Sequence, residues 1–147
     1  MNSKIFCFTI ILMISFIIYS CKKGISAPDS SSIEFKSYNN IGCIKGEIGR
    51  VDVAKVETIY INGELEVDLI FTTLCSAKMK DSVVIEGKKI DIFLKDVNLN
   101  GSRCGCLFKE VFIFAVNGMK EIEIKFNYDA YAREGYDVLA DTTIQLK

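Results

Sequence analysis

From Ile33 onward, apolar and polar side chains alternate along most of the chain with a period of two, which predicts β-strands rather than helices. The clearest pair is formed by residues 56–61 and 64–69, which flank Asn62-Gly63. An Asn-Gly dipeptide between two alternating runs is the strongest short-range hairpin signal. We therefore predict a tight β-hairpin whose second strand turns Glu66 and Asp68 toward water. Its inward side carries Leu65, Val67, Leu69, Phe71, Thr73 and Cys75.

Further strands are predicted at 33–38, 41–48, 83–86, 89–95, 103–116, 121–128 and 142–146. A turn is expected at Asn39-Asn40, and a loop or a single helical turn over 76–82. The 103–116 run is apolar on both faces in its middle, which is typical of a central strand, although Glu110 interrupts its inward face. The pattern predicts an all-β fold, an antiparallel β-sandwich for which an immunoglobulin-like topology is one candidate and an open barrel the alternative.

The stretch before the strands has a different pattern, because residues 5–19 are almost entirely apolar. As a helix they would rise about 22 Å, which is short of the roughly 30 Å of a bilayer core and fits a secretory signal. The following Ile18-Tyr19-Ser20-Cys21 resembles the lipobox of small bacterial lipoproteins of the Gram-negative envelope. An uncleaved anchor helix, or ordinary cleavage near Ser20, is the alternative.

The lipobox resemblance implies a division of the chain and an address. Residues 1–20 are the expected signal peptide, 21–32 a flexible tether, and 33–147 the β-sandwich domain. In that family the cleaved chain begins with the lipidated cysteine, so Cys21 is the expected site of acyl groups such as palmitate, and the membrane is a partner through that lipid. Lys22 follows it, where inner-membrane lipoproteins often carry Asp, which implies the outer membrane.

Four cysteines remain once Cys7 and Cys21 are set aside, and an even number outside the cytoplasm favours disulfide bonds. Cys104 and Cys106 lie two apart on a predicted strand, about 6.6 Å, so a bond between them is the least favoured. We prefer Cys75–Cys104 with Cys43–Cys106 over Cys75–Cys106 with Cys43–Cys104. A four-sulfur zinc site is the alternative, but the usual Cys-x-x-Cys knuckles are missing from the sequence.

One loop carries a weak calcium signal. Asp96, Asn98 and Asn100 alternate before Gly101, as oxygen ligands do in the first half of an EF-hand loop. The twelfth position holds Leu107 instead of the bidentate Glu of that family. A polar turn is the alternative, because turns use the same residue types.

Composition narrows the possible functions. The chain has no histidine and 18 basic against 19 acidic side chains, so the commonest general base is missing and no basic face for nucleic acid is expected. No cofactor motif is present. We therefore expect a noncatalytic binding or accessory module with a protein or glycan partner, for which Tyr131 and Tyr136 are candidate contacts. The alternatives are a carboxylate-dependent envelope hydrolase and a protease inhibitor using Arg103.

Overall fold

Two four-stranded β-sheets pack face to face in the computed structural model of the protein. The structure describes residues 31–44, 54–98, 104–130 and 135–147. The strands are β1 (Ser32–Cys43), β2 (Lys55–Ile61), β3 (Glu64–Leu74), β4 (Met79–Glu86), β5 (Lys89–Asp96), β6 (Gly105–Asn117), β7 (Glu121–Asp129) and β8 (Asp137–Gln145). Sheet A has the order β1-β6-β3-β2 and sheet B the order β4-β5-β7-β8. The predicted β-sandwich is confirmed.

The residues before Ser31, with the predicted signal peptide, Cys21 and most of the tether, lie outside the described part of the chain. No helix among the described residues is long and apolar enough to cross a membrane.

The β2–β3 hairpin forms where Asn62-Gly63 predicted it. Ile61 pairs with Glu64, and the two turn residues have φ values of 54° and 82°. Two consecutive positive φ values are those of a type I′ turn, which matches the twist of the flanking strands. The β4–β5 hairpin closes over Gly87-Lys88, where Gly87 alone has a positive φ, 60°, as the first residue of a type II′ turn does.

The core lies between the sheets and is filled by the inward rows that alternation predicted. Leu65, Val67, Leu69 and Phe71 of β3 are at most 2% exposed. The central strand β6 adds another buried row, and β5 and β7 supply the opposite wall: Phe108, Phe112, Phe114, Val116, Ile90, Ile92, Leu94, Ile122, Ile124 and Phe126. Aromatic rings join the layers, as in the Phe112–Phe126 contact with centroids 5.8 Å apart.

Strand β1 corrects two predictions. Alternation from Ile33 and Phe35 predicts Ser37 inward and Tyr38 outward, but the register against β6 shifts between Phe35 and Ser37. Because one extra residue reverses the alternation, Tyr38 faces inward instead. A second shift lies between Asn40 and Gly42, where a turn was predicted at Asn39-Asn40. The chain therefore continues as one bulged strand to Cys43.

Sheet B corrects the prediction of purely antiparallel pairing. Strand β5 pairs with β7 in parallel, from Lys89 with Glu123 to Lys95 with Asp129. Strand β6 lies between them in sequence but belongs to sheet A, so the chain reverses twice before β7 returns beside β5. The predicted loop over 76–82 is also shorter, because β4 begins at Met79.

Candidate functional site

Both cysteine pairs lie at the start of β6. Cys43 pairs with Cys106 and Cys75 with Cys104, with Cα–Cα distances of 5.8 and 5.6 Å that suit disulfide bonds. These are the pairs preferred from the sequence. They fasten the central strand to β1 on one side and to the end of β3 on the other. No cluster of three or more potential metal ligands occurs among the described residues.

The candidate calcium loop is organised by Asp96, which is 4% exposed. Its Oδ1 accepts hydrogen bonds from the backbone N–H groups of Lys78, at 3.0 Å, and Asn98, at 2.9 Å. The Asn98 side-chain amide donates to the Ser76 carbonyl oxygen. Asp96 and Asn98 thus join the segment that precedes β4 to the segment that follows β5. Asn100 lies outside the described residues, so calcium binding stays a prediction.

The outer face of sheet B is charged. A depression of about 250 Å³ is lined by Lys89, Asp91, Glu123, Lys125 and Asp141 among others. Lys88 lies 3.0 Å from Glu123 and holds the pKa of that carboxyl below its usual value. A general acid needs a raised pKa instead. Glu123 is therefore a partner in ion pairs and not a candidate general acid.

Glu110 is the group that the sequence analysis left without a role. It points between the sheets, is 0% exposed, and neither of its carboxyl oxygens has a hydrogen-bond partner within the described part of the chain. Burial raises its pKa to about 7, and Asp81 of β4 adds to the rise. The nearby Tyr38 hydroxyl opposes that rise, and its own pKa is raised by burial and by Glu110.

Glu110 meets only part of what a hydrolase requires. Its pKa suits a general acid, but the side chain is closed off from solvent and lines neither the depression on sheet B nor the one beside Gly87 and Gly118. Its position was readable in the sequence as one acid in an apolar alternating row. Its burial depends on the packing of β1 and β4 near each other, which cannot be predicted from the sequence alone.

The outer face of sheet A differs from that of sheet B. Strand pairing places Ile59 beside Glu66 and Ile61 beside Glu64, and on the far side of β3 these two acids lie beside Ile113 and Ala115 of β6. Ile59 and Ile61 are 54% and 61% exposed, although both are large and apolar. We call Ile59, Ile61, Glu64 and Glu66 the β2 patch.

One prediction about this face is wrong. Asp68 was expected to face water, but it is 7% exposed, and its Oδ2 pairs with the Lys109 ammonium 2.5 Å away on β6. That contact raises the pKa of Lys109. The alternation correctly placed Asp68 on the outer face, but the neighbour that buries it there comes from a distant segment.

Of the candidate contact tyrosines, Tyr136 is 48% exposed and packs edge-on against Phe93, with ring centroids 5.2 Å apart. Tyr131 and Arg103 lie outside the described residues. Tyr128 is buried and exchanges a 2.6 Å hydrogen bond with Thr73. Ile59 and Ile61 of the β2 patch are each more exposed than Tyr136, and sequence reasoning missed them.

No family model matches this chain, and no match was found among the curated proteins or the solved structures.

Proposed function

We propose that this chain is a lipid-anchored protein of the bacterial cell envelope that acts as a noncatalytic binding module, with the β2 patch as its contact surface for a protein partner. The proposal is carried by the exposure of Ile59 and Ile61 side by side on an edge strand of an otherwise filled sandwich. Contiguous exposed apolar side chains rimmed by polar ones are typical of interaction sites.

The proposed anchor gives this surface a setting. Lipid on Cys21 would hold the domain at a membrane, and the tether predicted before β1, as a flexible coil, would reach roughly 17–20 Å. That reach would set the sandwich just beyond the lipid headgroups, where another envelope protein can meet it. Isoleucines next to acids favour a protein over a glycan, because sugars are bound mainly by aromatic stacking and hydrogen bonds.

Two measurements test the proposal. Intact mass of the protein purified from its own membranes should match a chain that starts at Cys21 and carries acyl groups. The double variant Ile59→Ser/Ile61→Ser should lose a partner that co-purifies with the wild type after mild cross-linking.

The matched control is Val84→Ser, an exposed β-branched residue on the edge strand of the other sheet, which should keep the partner. An unprocessed, unlipidated chain would reject the anchor. Equal recovery of the partner with all three proteins would reject the β2 patch.

A further inference from the structure

Strand β2 has one open edge. It pairs with β3 only, and Ile61–Glu64 closes a two-residue hairpin, which makes that pair hydrogen-bonded. Counting back from Ile61, every second residue of β2 therefore directs its backbone N–H and C=O groups toward β3. The backbone groups of Val56, Thr58 and Tyr60 point the other way, where no other strand pairs with them in the described residues.

The other edge strands have features that discourage further pairing, and β2 has fewer. Natural edges are protected by bulges, by charges and by proline. Strand β1 carries two bulges, and β8 is bulged opposite Phe126–Asn127. Strand β4 is regular but carries Lys80 and Glu86 at its two ends. Strand β2 is regular against β3, and its charges, Lys55 and Glu57, pair with each other at its beginning.

The side chains around this edge indicate what would pair with it. An added strand would run about 4.8 Å from β2, so its outward residues would lie directly beside Ile59 and Ile61. Glu64 and Glu66 lie one strand further in, at roughly 10 Å, a distance that a long basic side chain and a glutamate span together. A second copy paired through the same edge would offer only one cation in its outward row, Lys55, which is already paired with Glu57.

We propose that the open edge of β2 accepts an extended segment of a partner protein, added as a further strand of sheet A, whose outward side chains alternate apolar and basic residues. This inference rests on the proposed function and specifies its binding mode. Main-chain hydrogen bonds to Val56, Thr58 and Tyr60 would supply affinity, and the β2 patch would supply selectivity.

The test uses the full chain in the cells that make it, with a photo-cross-linking amino acid at Ile61 and, as a matched control, at Val84. Thr58→Pro removes an N–H of the open edge at an exposed position, and proline is tolerated on edge strands. We expect an adduct from position 61 but not from 84, and at least a tenfold lower yield with Thr58→Pro. The captured peptide should have the alternating sequence.

Folding is checked separately, by requiring that Thr58→Pro melt within a few degrees of the wild type. If Thr58→Pro melts lower than that, Ile59→Lys takes its place. This variant repels basic residues, leaves the backbone intact, and should give the same loss of adduct. An adduct that survives a folded Thr58→Pro would overturn strand addition while leaving the β2 patch as a binding surface, and one that survives Ile59→Lys would reject the β2 patch as well. Capture of lipid or of a second copy would overturn this inference, and no adduct at all would reject both proposals.

Discussion

Glu110 shows how one side chain couples this fold to pH. The carboxyl is buried, so its pKa of about 7 lies above the usual value of 4.5. The folded state then holds the proton more tightly than the unfolded state. Stability from this group is complete below pH 4.5 and is lost as pH rises through about 7.

Replacing the carboxyl by a neutral amide should remove this pH dependence. As pH rises from 4.5 to 8, the wild type should lose roughly 2–3 kcal/mol of its free energy of unfolding relative to Glu110→Gln. The reason is that each unit of pKa shift corresponds to about 1.4 kcal/mol. Denaturant titrations at several pH values measure the difference. Glu64→Gln, exposed on the same sheet, controls for the amide. Parallel pH profiles for Glu110→Gln and wild type would contradict the argument.

The Asp68–Lys109 pair makes a second residue-scale prediction. Lys109→Met leaves the Asp68 carboxylate buried without its cation, which should lower the free energy of unfolding by about 1–3 kcal/mol, because an uncompensated buried charge is costly. Lys36→Met breaks the exposed pair with Glu34 and should change it by less than about 1 kcal/mol. Adding Asp68→Leu to Lys109→Met should restore most of the loss. Chemical denaturation compares the four proteins, and equal losses for Lys36 and Lys109 would contradict this account.

At the scale of elements, the type I′ turn depends on backbone conformation more than on space. Gly63 has a φ of 82°, and a Cβ there would meet its nearest neighbour, the Val116 carbonyl oxygen, at an ordinary 3.5 Å. Gly63→Ala should therefore lower stability by about 1–2 kcal/mol through the left-handed conformation alone. Gly105→Ala, with neighbours no closer than 3.8 Å and no positive φ, is the control and should change stability by much less. Thermal melts of the two variants measure the difference, and equal melting temperatures would rule out this explanation.

The elements also show what could be predicted from the sequence. The hairpin at Asn62-Gly63 and the inward row of β3 follow from local turn chemistry and alternation, and both are confirmed. The inward position of Tyr38 could not be predicted, because a bulge shifts the alternation by one residue and leaves no clear local signal. The parallel pairing of β5 with β7 depends on β6 joining the other sheet, which is a property of the complete topology.

The same division applies to the candidate site. Strand spacing disfavoured a bond between Cys104 and Cys106 and left two pairings, of which the structure has the preferred one, with Cys75 and Cys104 at disulfide distance. The β2 patch was missed because Ile59 and Ile61 alternate with polar residues as core residues do. Only the strand order shows that their row faces outward on an edge strand.

For the whole molecule, the two cysteine pairs join distant parts of the chain at one end of β6. Their sequence separations are 63 and 29 residues, so each bond removes loop entropy from the unfolded chain worth roughly 3–4.5 kcal/mol. The longer loop makes Cys43–Cys106 the more stabilising bond by this argument. It also ties edge strand β1 to the central strand, whereas Cys75–Cys104 closes the end of β3, which pairs with β6 along its whole length.

We therefore expect two double variants to differ in a fixed order. Cys75→Ser/Cys104→Ser should lower the melting temperature by about 10 °C or more, and Cys43→Ser/Cys106→Ser should lower it further. Removing both partners leaves no free thiol to form wrong bonds, so the change reports the missing bond. Thermal melts of both variants, with and without reductant, measure the order. In reductant the melting temperature of the wild type should fall to or below that of the less stable variant, because the wild type then lacks both bonds. A wild-type melt that reductant leaves unchanged, with four alkylatable thiols in the native domain, would show that the pairs are not bonded and that the sandwich is held by its core alone.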